Sequence, residues 1–240
     1  MQNDHTSSQF DTEMETLRSS VLNMGGLVER QLQRALDAVK GGDSAPANLV
    51  MTDEQLVNEM QMNIDKLCAE VIARRQPAAG DLRTVIAVGQ TVNDLERMGD
   101  EAKKIARKAT EIYGEGASTR DRRNSLVHYS EIGHIGQLAQ SMLQMALDAY
   151  ARKDLVVAAE VVTRDKQVDS EFQAVMRQLI SYMMEDPRTI SSVLDVIFVA
   201  KSLERIGDHA KNIAEYVVQV VIGKDMRHAT AEEIQREAAS

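Results

Sequence analysis

"LERMGDEAKKIA" runs from Leu95 to Ala106, and "LERIGDHAKNIA" runs from Leu203 to Ala214. The two stretches differ at only three of twelve positions. Glu204 lies 108 residues beyond Glu96, and Asp208 lies 108 beyond Asp100. Earlier in each half, "ALDAV" at 35–39 returns as "ALDAY" at 146–150, and Val57 returns as Val168, both with an offset of 111. The slip of three residues falls most easily in the proline loops "QPAAGDL" and "EDPRTI", where it leaves the faces of the flanking helices intact. The chain therefore reads as two copies of one unit with a period of about 110 residues.

Apolar spacing gives the unit its class. Met14, Leu17, Val21, Met24, Val28, Leu32, Ala35 and Val39 recur at three- and four-residue steps, the pattern of one buried helix face. Breakers and spacing together predict six helices, over about 11–40, 47–75, 82–113, 124–152, 155–184 and 190–222. "GGDSAP" stops the first, Asp81 serves as N-cap of the third, and "GEGASTRDRRNS" marks the boundary between halves. Long helices joined by short loops run antiparallel. The predicted fold is all-α: two tandem pseudo-symmetric three-helix bundles at 8–115 and 120–224, with flexible polar tails at 1–7 and 225–240. Composition agrees, since aromatics make up 3%, Trp is absent, and Ala, Leu, Val, Ile and Met supply most of the apolar content.

Charge and cysteine usage exclude several function classes. The net charge of −9 opposes nucleic acid as a main partner. A lone cysteine, Cys68, rules out an internal disulfide and reads as a core residue of a cytoplasmic protein. No secretory signal is evident, and the most apolar window, Val193–Ala200, is too short to span a bilayer and contains Asp195. Membrane association is expected only through partners. The basic segments "RDRRNS" at 120–125 and "ARRQP" at 73–77 read first as solvated charge.

The carboxylates carry the functional signal. Residues four apart on a helix lie about 40° apart, so Glu96 and Asp100 share a face, as do Glu204 and Asp208. Met98, Ala102, Ile105 and Ala109 fall on the opposite face of the third helix, and Ile206, Ala210, Ile213 and Val217 do so on the sixth. Gly99 and Gly207 remove a side chain beside the acids, which implies close approach of another helix or a ligand. On the fifth helix Asp165 and Asp169 interrupt an apolar stripe of Val161, Val168, Phe172, Met176 and Leu179. Glu54 and Asn58 occupy the matching positions on the second. Each half can thus assemble an acidic cluster from two four-spaced pairs, a donor set suited to Mg²⁺, Mn²⁺ or iron. Structural zinc is disfavoured, because one Cys and five scattered His give no framework.

The repeated motifs, with "ARRQPAAGDLR", "MGGLVERQLQRAL" and "MMEDPRTI", resemble the PhoU family of phosphate-signalling regulators over nearly the whole chain. The resemblance implies a cytoplasmic homodimer with divalent-metal or iron clusters (Mg, Mn, Fe or Zn) at E(D)xxxD motifs. Here those motifs are Glu96/Asp100, Glu204/Asp208, Asp165/Asp169 and a degenerate Glu54/Asn58. It further implies a non-enzymatic repressor of the phosphate-starvation response that also restrains phosphate uptake. Its implied partners are the ATPase subunit of the phosphate ABC transporter (PstB-like) and a sensor histidine kinase (PhoR-like). Two other readings stand beside it. One is a purely structural helical scaffold. The other is a carboxylate-metal enzyme, disfavoured because the chain has one Glu-x-x-His pair, Glu131/His134, where such a site needs one on each of two helices, and because His209 points about 100° from Asp208.

Overall fold

A computed structural model describes the backbone of residues 2–41, 45–113, 119–224, 226 and 229–238; the side chains of 2–7, 119–131 and 238 lie outside this description. Its long helices are α1 (Gln2–Gly41), α2 (Ala45–Arg75), α3 (Ala79–Tyr113), α4 (Thr119–Arg152), α5 (Leu155–Glu185) and α6 (Ile190–Ile222). No strand occurs among the described residues.

The chain breaks have local causes. Lys153 turns left-handed at φ 53°, and Asp154 then caps α5 by accepting from the Val156 and Val157 amides. Pro187 stands in the single 3-10 turn that joins α5 to α6. Gly223, at φ 81°, ends α6, and the Arg83 guanidinium donates to its carbonyl. Three boundaries differ from expectation. Helix α3 begins at Ala79, so Asp81 lies inside its first turn, where it complements the helix dipole rather than capping. Helix α4 begins at Thr119, five residues early, and residues 114–118 of the expected linker lie outside the described residues. Helix α1 reaches back to Gln2, into the expected tail.

The tail after Gly223 also folds. Ala231–Ala238 form a short helix, α7, that packs on α5 with Ile234 fully buried. Thr230 and Glu233 form a capping box at its start: the Thr230 amide donates to the Glu233 carboxylate, and the Glu233 amide donates to the Thr230 hydroxyl. The T-x-x-E signature was present in the sequence but was hidden by the polar composition around it.

Within each half the three helices all touch one another. The halves also join, α3 against α6 and α1 against α4, so these four helices form a central ring with α2 and α5 on its flanks. One continuous apolar cluster runs through both halves. The opposite-face residues named above, Met98 to Ala109 and Ile206 to Val217, are all buried within it.

The duplicated glycines serve helix packing. A Cβ on Gly99 would lie 2.9 Å from Gln31 Oε1 and 3.5 Å from Val57 Cγ1. A Cβ on Gly207 would meet Val168 Cγ1 at 3.5 Å and Met142 Sδ at 3.6 Å. The neighbours are themselves repeat equivalents, but only the first site is too tight. Gly207→Ala should therefore stabilise the protein by up to about 1 kcal/mol through helix propensity. Gly99→Ala should destabilise it by about 1–3 kcal/mol through overpacking against buried Gln31. Urea unfolding of the two variants checks this; equal effects would contradict it.

Candidate functional site

Each bundle gathers carboxylates where its second helix meets its third. In the first, Glu54 on α2 faces Glu96 and Asp100 on α3. Burial and the Asp100 charge, with a further push from Glu54, raise the Glu96 carboxyl above its usual range, against Arg97 and His209. Glu54 accepts from Asn58 Nδ2 at 3.0 Å and from Lys103 Nζ at 2.7 Å. In the second, Asp165 on α5 is 4% exposed and accepts from Lys211 Nζ at 2.6 Å. Burial works against the Lys211 charge, but this bond to Asp165 overrides it and raises the lysine. Lys201 pairs with Glu204, and its ammonium stands 5.5 Å from the Phe172 ring centre. Burial and then Asp165 raise the Asp169 carboxyl. Asp208 is pushed furthest, from the usual 3.8 to about 6, by the protein around it and then by Glu204, Asp165 and Asp169.

All eight predicted site residues thus fall into two patches, four to each bundle. Carboxylates on an apolar stripe call for a neighbouring Lys or Arg or a cation, but spacing does not name it; the structure supplies Lys103 and Lys211, which stand at the same place in the duplicated stretch, 108 residues apart. Each reaches from the third helix of its unit to the leading acid of the second. Three carboxylates against one lysine, and four against two, leave both patches with the same formal excess of two negative charges. Among the described residues no three Asp, Glu, His or Cys side chains converge closely enough to hold a metal ion as they stand. The ammonium groups of Lys103, Lys201 and Lys211 sit on three of the acids instead.

Between the patches runs a polar seam that joins α3 to α6. Asp94, 4% exposed, accepts from His209 Nδ1 at 2.7 Å and from Asn212 Nδ2 at 3.1 Å. One heptad on, Glu101 is held by Lys104 at 2.8 Å, by Arg205 at 3.3 Å and by the Ser202 hydroxyl. Burial alone would raise Glu101, but these groups outweigh it and hold its pKa low. A further heptad on, Lys108 pairs with Asp195 at 3.0 Å and lies 5.6 Å from the Phe198 ring centre. Asp94, Glu101 and Lys108 ascend α3 in steps of seven while His209, Ser202 and Asp195 descend α6 in the same steps, an antiparallel heptad register. Two of the three substitutions between the duplicated stretches, Glu101/His209 and Lys104/Asn212, lie in this seam. Arg205 therefore serves the seam. Arg75 of "ARRQP" binds Glu13 through both carboxylate oxygens at 2.8 and 2.9 Å, fastening α2 to α1. The side chains of "RDRRNS" lie outside the described residues.

The raised pKa of Asp208 has a sign. A carboxyl that is harder to ionise when folded contributes stability below pH 3.8 and loses that contribution as pH rises through about 6. Asp208→Asn should therefore be more stable than the native chain at pH 7–8, by less than about 1 kcal/mol because the side chain is partly solvated. The difference should fade toward pH 4. Urea titrations across that range test it, and a native chain more stable at pH 8 would contradict it.

The duplication has a counterpart among known proteins. The family model described as PhoU domain matches the chain twice, at residues 21–109 and 132–217. The phosphate-specific transport system accessory protein PhoU homolog of Pseudomonas aeruginosa is 50% identical over 224 residues, 93% of this chain and 90% of that protein. The phosphate-specific transport system accessory protein PhoU of Escherichia coli is 42% identical over 234 residues, 98% of this chain and 94% of its own length. The crystal structure of PhoU from Pseudomonas aeruginosa superposes with a TM-score of 0.83 at 49% identity, covering 90% of this chain and all of that one. With two family matches lying on the two structural repeats, the chain belongs to the PhoU family.

Proposed function

We propose that this protein is a cytoplasmic, non-enzymatic regulator of phosphate uptake that represses the phosphate-starvation response when phosphate is plentiful. In this reading it links the ATPase subunit of the phosphate ABC transporter to a sensor histidine kinase and acts as a homodimer. The observation that carries it is end-to-end identity of 50% with a protein named as an accessory of the phosphate-specific transport system. No helix among the described residues is long and apolar enough to cross a membrane, so contact with a transporter is made by helix faces. Cells lacking the protein should express a phosphate-starvation reporter in excess phosphate, and reintroducing it should silence the reporter. A reporter that stays silent without the protein would refute the reading.

Metal binding is part of the proposal. The donor set is chemically suited to a hard cation or iron, being made of carboxylates with one amide. Among the described residues Glu96, Asp100, Asp169 and Asp208 have no ion-pair partner, and Glu96, Asp169 and Asp208 ionise against neighbouring charge. Glu54, Asn58, Glu96 and Asp100 would hold a cation in the first bundle, and Asp165, Asp169, Glu204 and Asp208 in the second. A bound ion would neutralise this repulsion and tie the second helix of each bundle to the third. As the side chains stand the acids do not converge, so Lys103, Lys201 and Lys211 must release Glu54, Glu204 and Asp165 first. That requirement is what favours the scaffold reading, in which the lysines are the permanent counter-ions.

Calorimetric titration with Mn²⁺ separates the two. The native chain should bind. Glu204→Ala/Asp208→Ala should lose more affinity than Glu96→Ala/Asp100→Ala, because Asp208 faces the strongest unrelieved repulsion. No uptake by the native chain would leave the scaffold reading standing.

A further inference from the structure

A cavity of about 210 Å³ opens between the two bundles, away from both acidic patches, bordered by α1, α3, α4 and α6. None of the eight candidate metal residues lines it. Its wall is apolar, made by Met14, Ala87, Val88, Val217 and Val220. Tyr150 crosses from α4 into the same space, and burial raises its hydroxyl pKa. Thr91, in the α3 wall, has a buried hydroxyl with no hydrogen-bond partner among the described residues. An apolar cavity of about 150 Å³ accommodates benzene, so this one has room for a ring with a short substituent. Enclosed apolar space with a few polar groups at a domain junction is the usual form of a small-molecule site.

The mouth sets the head group. Glu15 and Arg18 satisfy each other at 3.0 Å, and Arg18 also donates to the Ala151 carbonyl at 2.6 Å. The other two charges at the mouth, Asp11 and Lys153, have no ion-pair partner among the described residues and do not reach each other. A carboxylate and an ammonium, both uncommitted and held at the rim of one apolar cavity, match a ligand that carries both charges beside an apolar body. We propose that this cavity binds a small zwitterion with an apolar side group, of the aromatic amino acid class. Its carboxylate meets Lys153, its ammonium meets Asp11, and its ring lies against Val88 and Val217. Because the wall is built from both bundles, an occupant fastens them together. The site is independent of the metal and transporter readings above.

Calorimetry on the full chain tests this with four probes: L-phenylalanine, phenylacetate, phenethylamine and p-cresol. Phenylalanine should bind most tightly. Lys153→Gln should weaken phenylalanine and phenylacetate about two- to fivefold, the worth of one exposed ion pair, and leave phenethylamine and p-cresol unchanged. Asp11→Asn should do the converse. Val220→Trp, at a half-buried rim position, should weaken all four. The proposal is overturned if no probe binds at about 10 mM, a concentration that reveals even millimolar affinity. It is equally overturned if p-cresol binds as tightly as phenylalanine, or if a folded Val220→Trp binds like the native chain. The two rim charge variants decide the matter if Val220→Trp does not fold.

Discussion

The antiparallel register of α3 against α6 is the constraint on which the rest of the molecule depends. Asp94 is buried, and a carboxylate out of water needs donors in place. His209 and Asn212 supply them only if α6 passes α3 in the opposite sense and in one heptad register. Glu101 and Lys108 repeat the demand one and two heptads along. A shift by one helical turn would strand Asp94 and take from Glu101 and Lys108 their partners on α6. The apolar cluster is continuous across both bundles, so hydrophobic burial supplies the cohesion while the seam selects one alignment. With α3 and α6 fixed, each acidic patch takes its place where α2 or α5 flanks them, and the cavity between the bundles acquires walls from both.

Duplication explains what the two halves share, and the seam explains why they differ. A seam between two related helices pairs each position with its partner's opposite end, so that identical residues would set like charge against like. His209, where the first copy has Glu101, avoids that by offering Asp94 a donor in place of a second carboxylate. The residues that build each patch face away from the seam and have kept their character: Glu96/Glu204, Asp100/Asp208 and Lys103/Lys211. Where a patch has changed, charge has been balanced, for Asp169 in place of Asn58 comes with Lys201 in place of Asn93. Counting acids alone makes the second patch look richer, whereas counting the lysines makes the two equal in formal charge. Asp208 is nevertheless the patch carboxyl raised furthest, because distance and burial govern its ionisation more than the tally does.

Much of the fold was legible because long amphipathic helices announce themselves. The steps from Met14 to Val39 and the two faces of "LERxGDxAK" gave helix class, number and orientation, and the offsets of 108 and 111 gave the repeat. Boundaries were less legible. Helix α3 starts two residues ahead of the Asp81 that reads as its cap, and α7 hides a capping box in a polar tail because burial of Ile234 outweighs composition there. The grouping of the acids by bundle followed from spacing. Their lysine partners did not, because a lysine on a helix reads as solvated until the facing helix is known.

The sequence by itself determined the class of the protein, its duplicated three-helix unit, the faces on which its acids stand and its membership of a family, because all of these are periodic along one chain. Tertiary structure alone decided that α1 and α2 close on Gly99 and α4 and α5 on Gly207, that Arg205 and His209 serve the seam, and that a cavity lies between the bundles. Each of these depends on which residue of a distant segment arrives opposite. That distance is fixed by the packing of α3 on α6, and it is nowhere written in the spacing of either helix.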